Sequence, residues 1–243
     1  MRKFFVFLIL YAVQALHAAE VNYALNEITY ESLAKNDWTD HVRAFRCLFA
    51  VEHIRSFLDF GTGRGTKFFL DNCDHVTSCE ISTTNRNMTD WYKAGLKVYA
   101  PYSNWSPVHI FASENFDYFN VDLGRNYRDK NLLSSERYAD FLLEVKSICD
   151  PVLEMGHYDV AFVDPGIITR ADFVKYLLGK IDIIVAHDTH DPVYGWERID
   201  NDTDYEKVGF SRGCGVTFWI KATRVNLINS LRKEISLHME DAP

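Results

Sequence analysis

Phe57-Leu58-Asp59-Phe60-Gly61-Thr62-Gly63-Arg64-Gly65-Thr66 begins as a short apolar strand, breaks at glycines on alternate positions and runs straight into Lys67-Phe68-Phe69-Leu70, which opens a helix. Glycines at 61, 63 and 65 in a strand-to-helix turn permit positive φ and let the backbone approach a ligand, because no Cβ intervenes. The following helix turns its first N–H groups toward the same place. A dinucleotide fingerprint started at Gly61 and Gly63 needs its third glycine three positions later. Thr66 stands there instead, which disfavours a nicotinamide cofactor.

Working outward, the same alternation of strand and helix recurs. Residues 38–55 place Trp38, Val42, Phe45, Leu48, Phe49 and Ile54 at helical spacing, with Asn36 or Asp37 as cap. Residues 76–80 and 108–112 read as the second and third strands. Residues 134–148 form a helix through Tyr138, Phe141, Leu142, Val145 and Ile148. Residues 158–164 and 181–188 are buried-type strands ending in the carboxylates Asp164 and Asp188, and a helix over 169–179 separates them. A late strand over 215–220 pairs with one around 205–210, and a closing helix spans 223–238. Near-continuous apolar strands separated by helices predict an α/β, doubly wound, mostly parallel sheet with helices on both faces. In such a sheet a ligand lies outside the carboxyl ends of the strands where their order reverses, so the loops after Phe60, Cys79, Val163 and His187 should meet in one crevice.

The composition narrows the function classes. The chain has 243 residues, 47% of them hydrophobic, and 26 Lys plus Arg stand against 34 Asp plus Glu, a net charge of −8. An acidic balance argues against coating phosphate backbones, so a small-molecule partner is expected and nucleic acid is not. There is no Gly-x-Ser-x-Gly elbow, no His-Glu-x-x-His helix and no phosphate loop ending in Gly-Lys-Ser/Thr, which disfavours hydrolase, zinc protease and P-loop chemistry. Cys47, Cys73, Cys79, Cys149 and Cys214 contain no Cys-x-x-Cys pair. They read as buried small hydrophobes, with one Cys73–Cys79 bridge as the alternative.

Arg2-Lys3, the apolar run over residues 4–13 and the small residues near Ala18 resemble a secretory signal peptide. The expected organisation is therefore a signal over 1–18, a single domain over 19–243, an exported location, and no membrane span once the signal is removed; the alternative is a buried N-terminal strand or helix and a cytoplasmic location. Asn87-Met88-Thr89, Asn104-Trp105-Ser106 and Asn201-Asp202-Thr203 match the glycosylation acceptor pattern.

Residues 58–65 resemble the first motif of class I S-adenosylmethionine-dependent methyltransferases, and Glu80 falls where that family keeps an acid for the ribose hydroxyls. The resemblance implies a Rossmann-like methyltransferase fold over roughly residues 36–221. It also implies a cofactor site built from Asp59, Gly61, Thr62, Gly63, Gly65, Glu80 and Asp164. Adenine would be met by Ser113, Glu114, Asn115 or Asp117, and Tyr92, Tyr102 and Trp105 are candidates to stack on it or to pack in the core. The strand ends at Asp164 and Asp188 resemble the small-molecule O-methyltransferase branch, which implies a magnesium or calcium ion between these two carboxylates. The sequence departs from that branch at Thr189, where an Asn is expected, so that His190 or Asp191 would have to substitute. It departs again at Pro165-Gly166, where a lysine base is absent. His187 and His190 are the remaining candidate bases. An exported, non-enzymatic protein that binds S-adenosylmethionine or a nucleoside on the same scaffold is the alternative function.

Overall fold

The computed structural model describes residues 27–36, 38–82, 90–114, 116, 129–166, 169–199 and 204–240. The expected signal segment, the cap candidate Asp37, the adenine candidates Asn115 and Asp117, and the acceptor residues Asn87 and Asn201 lie outside them.

In chain order the described elements are α1 (Tyr30–Ala34), α2 (Val42–Val51), β1 (Ser56–Phe60), α3 (Thr66–Asn72), β2 (His75–Ser82), α4 (Asp90–Val98), β3 (Trp105–Phe111), α5 (Lys130–Leu133), α6 (Glu136–Leu153), β4 (Val160–Val163), α7 (Arg170–Leu177), β5 (Ile183–His187), β6 (Tyr205–Phe210), β7 (Val216–Lys221) and α8 (Val225–Glu240). Two short 3-10 turns, Pro192–Tyr194 and Trp196–Arg198, follow β5. The strands form one seven-stranded sheet in the order β3-β2-β1-β4-β5-β7-β6. β1 through β5 run parallel, and β7 lies antiparallel between β5 and β6. The chain winds outward from β1 to β3, then returns to the other side of β1 to lay down β4 and β5. The order reverses between β1 and β4, and a crevice opens at their carboxyl ends.

Strand periodicity divides the core in two. Phe57, Phe162, Val185 and Phe218 face α2, α3 and α8, whereas Leu58, Phe60, Val163, Ala186 and Trp219 face α6 and α7. Both faces of β1 and β4 are buried, which is why these strands read as unbroken apolar runs. β3 tolerates Pro107 because it is an edge strand.

The doubly wound, mostly parallel architecture is the one predicted, and the late pairing of β6 with β7 is found. Helix α4 was not predicted. Its buried positions Tyr92, Gly95 and Tyr99 do fall at helical spacing, but one is a glycine and the other two are tyrosines: Tyr92 packs at 5.7 Å on His109, and Tyr99, just past the helix, packs at 5.4 Å on Trp105. The aromatic candidates for stacking therefore have structural work. Tyr102 Oη donates to Asp71 at 2.7 Å and Trp105 Nε1 to Ser78 Oγ at 3.2 Å.

All five cysteines are free thiols, and burial raises the pKa of Cys47, Cys73, Cys79 and Cys149. Asn104 spends its amide hydrogens on the carbonyls of Leu70 and Cys73, each at 3.0 Å, so glycosylation there would break the fold. Among the described residues no helix is long and apolar enough to cross a membrane.

Candidate active site

The glycine turn is held from below. Asp59, fully buried on β1, accepts from Thr66 Oγ1 at 2.9 Å and from Ser78 Oγ at 3.2 Å. Thr66 Oγ1 in turn accepts the Gly63 N–H at 3.0 Å, and Tyr99 Oη donates to the Gly63 carbonyl at 2.7 Å. Gly63 is thus fixed on both its backbone groups. Thr66, the residue that breaks the dinucleotide fingerprint, supplies the hydroxyl that shapes the loop.

The three glycines differ in purpose. Gly61 has φ +133°, and a Cβ there would lie 2.3 Å from the Asp164 carbonyl oxygen, so this glycine lets β1 and β4 close together. A Cβ on Gly65 would lie 2.6 Å from His41 Nε2. At Gly63 it would meet nothing nearer than the Gly61 carbonyl at 4.0 Å, so this glycine faces open space.

Glu80 follows Cys79, the register partner of Phe60, and so lies level with Gly61 at the end of the neighbouring strand. It is buried. Asp59 Oδ1, Thr62 Oγ1 and Ser113 Oγ are buried without hydrogen-bond partners. Burial raises the Asp59 pKa to about 8 despite the hydroxyls of Thr66 and Ser78, and the charges of Asp164 and Glu80 add to the rise.

On the β4 and β5 side the charges are tightly organised. Arg170, in the first turn of α7, places Nη1 2.8 Å from Asp164 Oδ1 and 2.6 Å from Asp188 Oδ2, while its Nε donates to the Pro165 carbonyl at 3.1 Å. Its guanidinium lies 4.2 Å from the centre of the Tyr194 ring. The two carboxylates expected to hold magnesium or calcium thus share the guanidinium of Arg170. Asp188 has φ +58°, and among the described residues it is the non-glycine in the left-handed region. Trp196 Nε1, donating to its carbonyl at 3.1 Å, helps to hold it there.

His187, expected as a base, is buried among carboxylates. Its Nε2 is 2.8 Å from Asp40 Oδ1, and its Nδ1 is 3.4 Å from Asp164 Oδ2 and 3.6 Å from Asp188 Oδ1. Burial alone would lower its pKa, but Asp164, Asp40 and Asp188 more than offset this and raise it to about 10. His187, one of the two histidines expected as a base, thus stands in an ion-pair network with Asp40, Asp164 and Asp188. Asp164 is driven the other way: burial would raise its pKa, but Arg170 and His187 hold it at about 2. His190 is exposed at the rim, with its ring lying over Gly215.

His41, at the start of α2, completes the cluster. Its ring packs 4.7 Å from Phe162 and 4.9 Å from His187, and neither ring nitrogen has a hydrogen-bond partner. Burial, reinforced by the His187 charge, lowers its pKa to about 3 and keeps the ring neutral. Leaving a buried polar group unpaired costs about 1–3 kcal/mol.

Tyr99, Asp40, His41 and Arg170 were not singled out from the sequence, and Thr66 drew notice only for breaking the dinucleotide fingerprint. Arg170 did carry a signal, because a cation in the first turn of a helix opposes the helix dipole and needs a reason to be there.

No protein-family model and no curated protein matches this chain.

Solved structures do resemble it. One is a protein assigned as a caffeoyl-CoA O-methyltransferase from Staphylococcus aureus (15% identity, 75% of this chain and 82% of that one, TM-score 0.43). Another is a methyltransferase from Geobacter sulfurreducens (9% identity, 72% and 77%, TM-score 0.44). A third is an rRNA methylase from Streptococcus thermophilus (10% identity, 75% and 95%, TM-score 0.41).

Proposed function

We propose that the crevice binds S-adenosylmethionine and that the chain directs its methyl group to a hydroxyl, or another nucleophile, of a small-molecule acceptor. The observation that carries this is the open face of Gly63, braced by Thr66 and Tyr99, with the buried Glu80 level with the same turn. Glu80 is suited to accept from two vicinal hydroxyls, since hydrogen bonds to a carboxylate are among the strong ones. Thr62 Oγ1 and Ser113 Oγ, buried without partners, are polar atoms that a nucleoside can satisfy.

The charge balance supports the same ligand. Glu80, Asp40, Asp164 and Asp188 outnumber Arg170 and His187 around the crevice, which suits a cationic sulfonium compound better than a phosphate.

When bound, the sulfonium supplies a methyl group already activated for displacement. The chain then has three tasks: to hold the glycine turn rigid through Asp59 and Thr66, to line up the acceptor, and to receive its proton. His190, at the rim and outside the ion-pair network, is the group for the last task.

Calorimetric titration of the full chain with S-adenosylmethionine and its demethylated product tests the proposal. Saturable binding is expected, and Glu80→Gln should weaken it roughly 10- to 100-fold, the value of hydrogen bonds to a charged group. Binding without transfer to a panel of hydroxyl acceptors would leave the non-enzymatic binding protein as the function. Absence of binding would overturn both.

A further inference from the structure

Asp164 divides its two oxygens between two neighbourhoods. Oδ1 belongs to Arg170, whereas Oδ2 faces two imidazole nitrogens, His187 Nδ1 at 3.4 Å and His41 Nδ1 at 3.9 Å. One donor atom from each of the three residues falls within a common sphere, every pair within 4.8 Å.

We propose that His41, Asp164 and His187 form a three-ligand site for a divalent first-row transition ion of the zinc or iron(II) class. Two ligands on a tetrahedral zinc stand roughly 3.3 Å apart, given metal–ligand distances of about 2.0–2.2 Å. The two distances to Asp164 Oδ2 are therefore close to what coordination needs. Two imidazoles and one carboxylate select a borderline ion over magnesium or calcium, which prefer oxygen alone.

The surroundings are arranged as an outer shell. Asp40 Oδ1 pairs with His187 Nε2 at 2.8 Å, which leaves Nδ1 to face Asp164, and Asp40 Oδ2 accepts the Cys214 N–H at 3.3 Å. A carboxylate behind a ligating histidine fixes the ring and its tautomer. Arg170 does the same for Asp164 by occupying Oδ1.

His41 supplies the independent observation. It is buried, Gly65 leaves room for its ring, and its Nδ1 is aimed into the cluster with no hydrogen-bond partner. Three carboxylates, Asp40, Asp164 and Asp188, surround Arg170 and His187, and a divalent ion that displaces the His187 proton would bring the five side chains to neutrality. The histidine side chains are 3–4% exposed and the Asp164 and Asp188 side chains 17–20%, so the remaining coordination positions open on the crevice side.

The ligands are the chain's own side chains, so the test is made without S-adenosylmethionine and its result is separate from that of the methyl-transfer proposal. Full-length, untagged chain stripped with a chelator is titrated with cobalt(II) and followed by visible absorption and by elemental analysis after dialysis. One ion per chain is expected, with the absorption of a four- or five-coordinate site and no thiolate charge-transfer band.

His41→Leu should weaken binding at least about 100-fold, exceeding the effect of losing an outer-shell partner. Its apo form should melt no lower than the apo wild type, which shows that the variant folds. Asp164→Asn should weaken binding similarly, and Cys214→Ser should leave it unchanged. No binding at micromolar cobalt or zinc, undiminished binding by His41→Leu, or loss of binding in Cys214→Ser would each overturn the site, the last by moving it to Asp40, His187 and Cys214.

Discussion

His187 and Asp40, 147 residues apart in sequence, meet at 2.8 Å with both side chains buried. The contact joins the end of β5 to the turn before α2 and so closes the crevice from the side of the first helix. Removing one partner from a buried ion pair leaves the other charged and desolvated. Asp40→Asn should therefore cost about 3 kcal/mol, the lower end of the usual range because Asp164 and Asp188 still face His187. Urea unfolding checks this as a lower midpoint at unchanged slope. A loss below about 0.5 kcal/mol would show that solvent screens the pair.

Gly61 and Gly63 stand two residues apart and should respond oppositely to alanine. Gly61→Ala meets a positive φ and a backbone oxygen at 2.3 Å, so it should destabilise the fold by more than about 1 kcal/mol. Gly63→Ala meets only space, so its melting temperature should stay close to wild type while its affinity for S-adenosylmethionine falls. Thermal melts paired with calorimetric titration separate the two effects. Equal loss of stability in both variants would mean that the turn is structural alone.

What could be read ahead of the structure follows from the range of the interactions. The turn from Asp59 to Thr66 is legible because a strand, its glycines and the next helix are contiguous. The ends of β4 and β5 are legible because buried strands read as apolar runs capped by Asp164 and Asp188. The use made of those two acids is not legible, since it depends on Arg170 reaching both from the first turn of α7, and a carboxylate pair in sequence looks the same with or without a guanidinium between them. The surroundings of His187 are hidden for the same reason: a strand-end histidine gives no sign of Asp40, which arrives from the far end of the chain. His41 passes as one more position in an apolar helix. Only its packing against Gly65 and Phe162 shows that it faces inward.

Asp59 makes stability depend on pH. Its carboxyl has an ordinary pKa of 3.8 and one of about 8 when folded, so between these values the native state holds a proton that the unfolded chain releases. The stability contributed by the protonated group is fully present below about pH 4 and is lost as pH rises through about 8. Unfolding free energies measured from pH 5 to pH 9 should fall across that window, and Asp59→Asn should flatten the fall. An unchanged slope in the variant would assign the dependence to another group.

Arg170 stands between Asp164 and Asp188, and removing it should open a place for a metal. Arg170→Met retains much of the buried volume but leaves two carboxylates facing each other without their shared cation, so a loss of about 3–5 kcal/mol is expected in metal-free buffer. Two carboxylates freed in this way form a hard-oxygen site. Millimolar magnesium or calcium should then restore part of the loss, by about 2.7 kcal/mol at a concentration 100 times the dissociation constant. The wild-type chain, whose guanidinium already fills the position, should gain nothing from the same addition. Denaturant midpoints of both chains, each with and without magnesium, provide the comparison. An equal gain in both would show that a hard ion binds beside the arginine and not in its place.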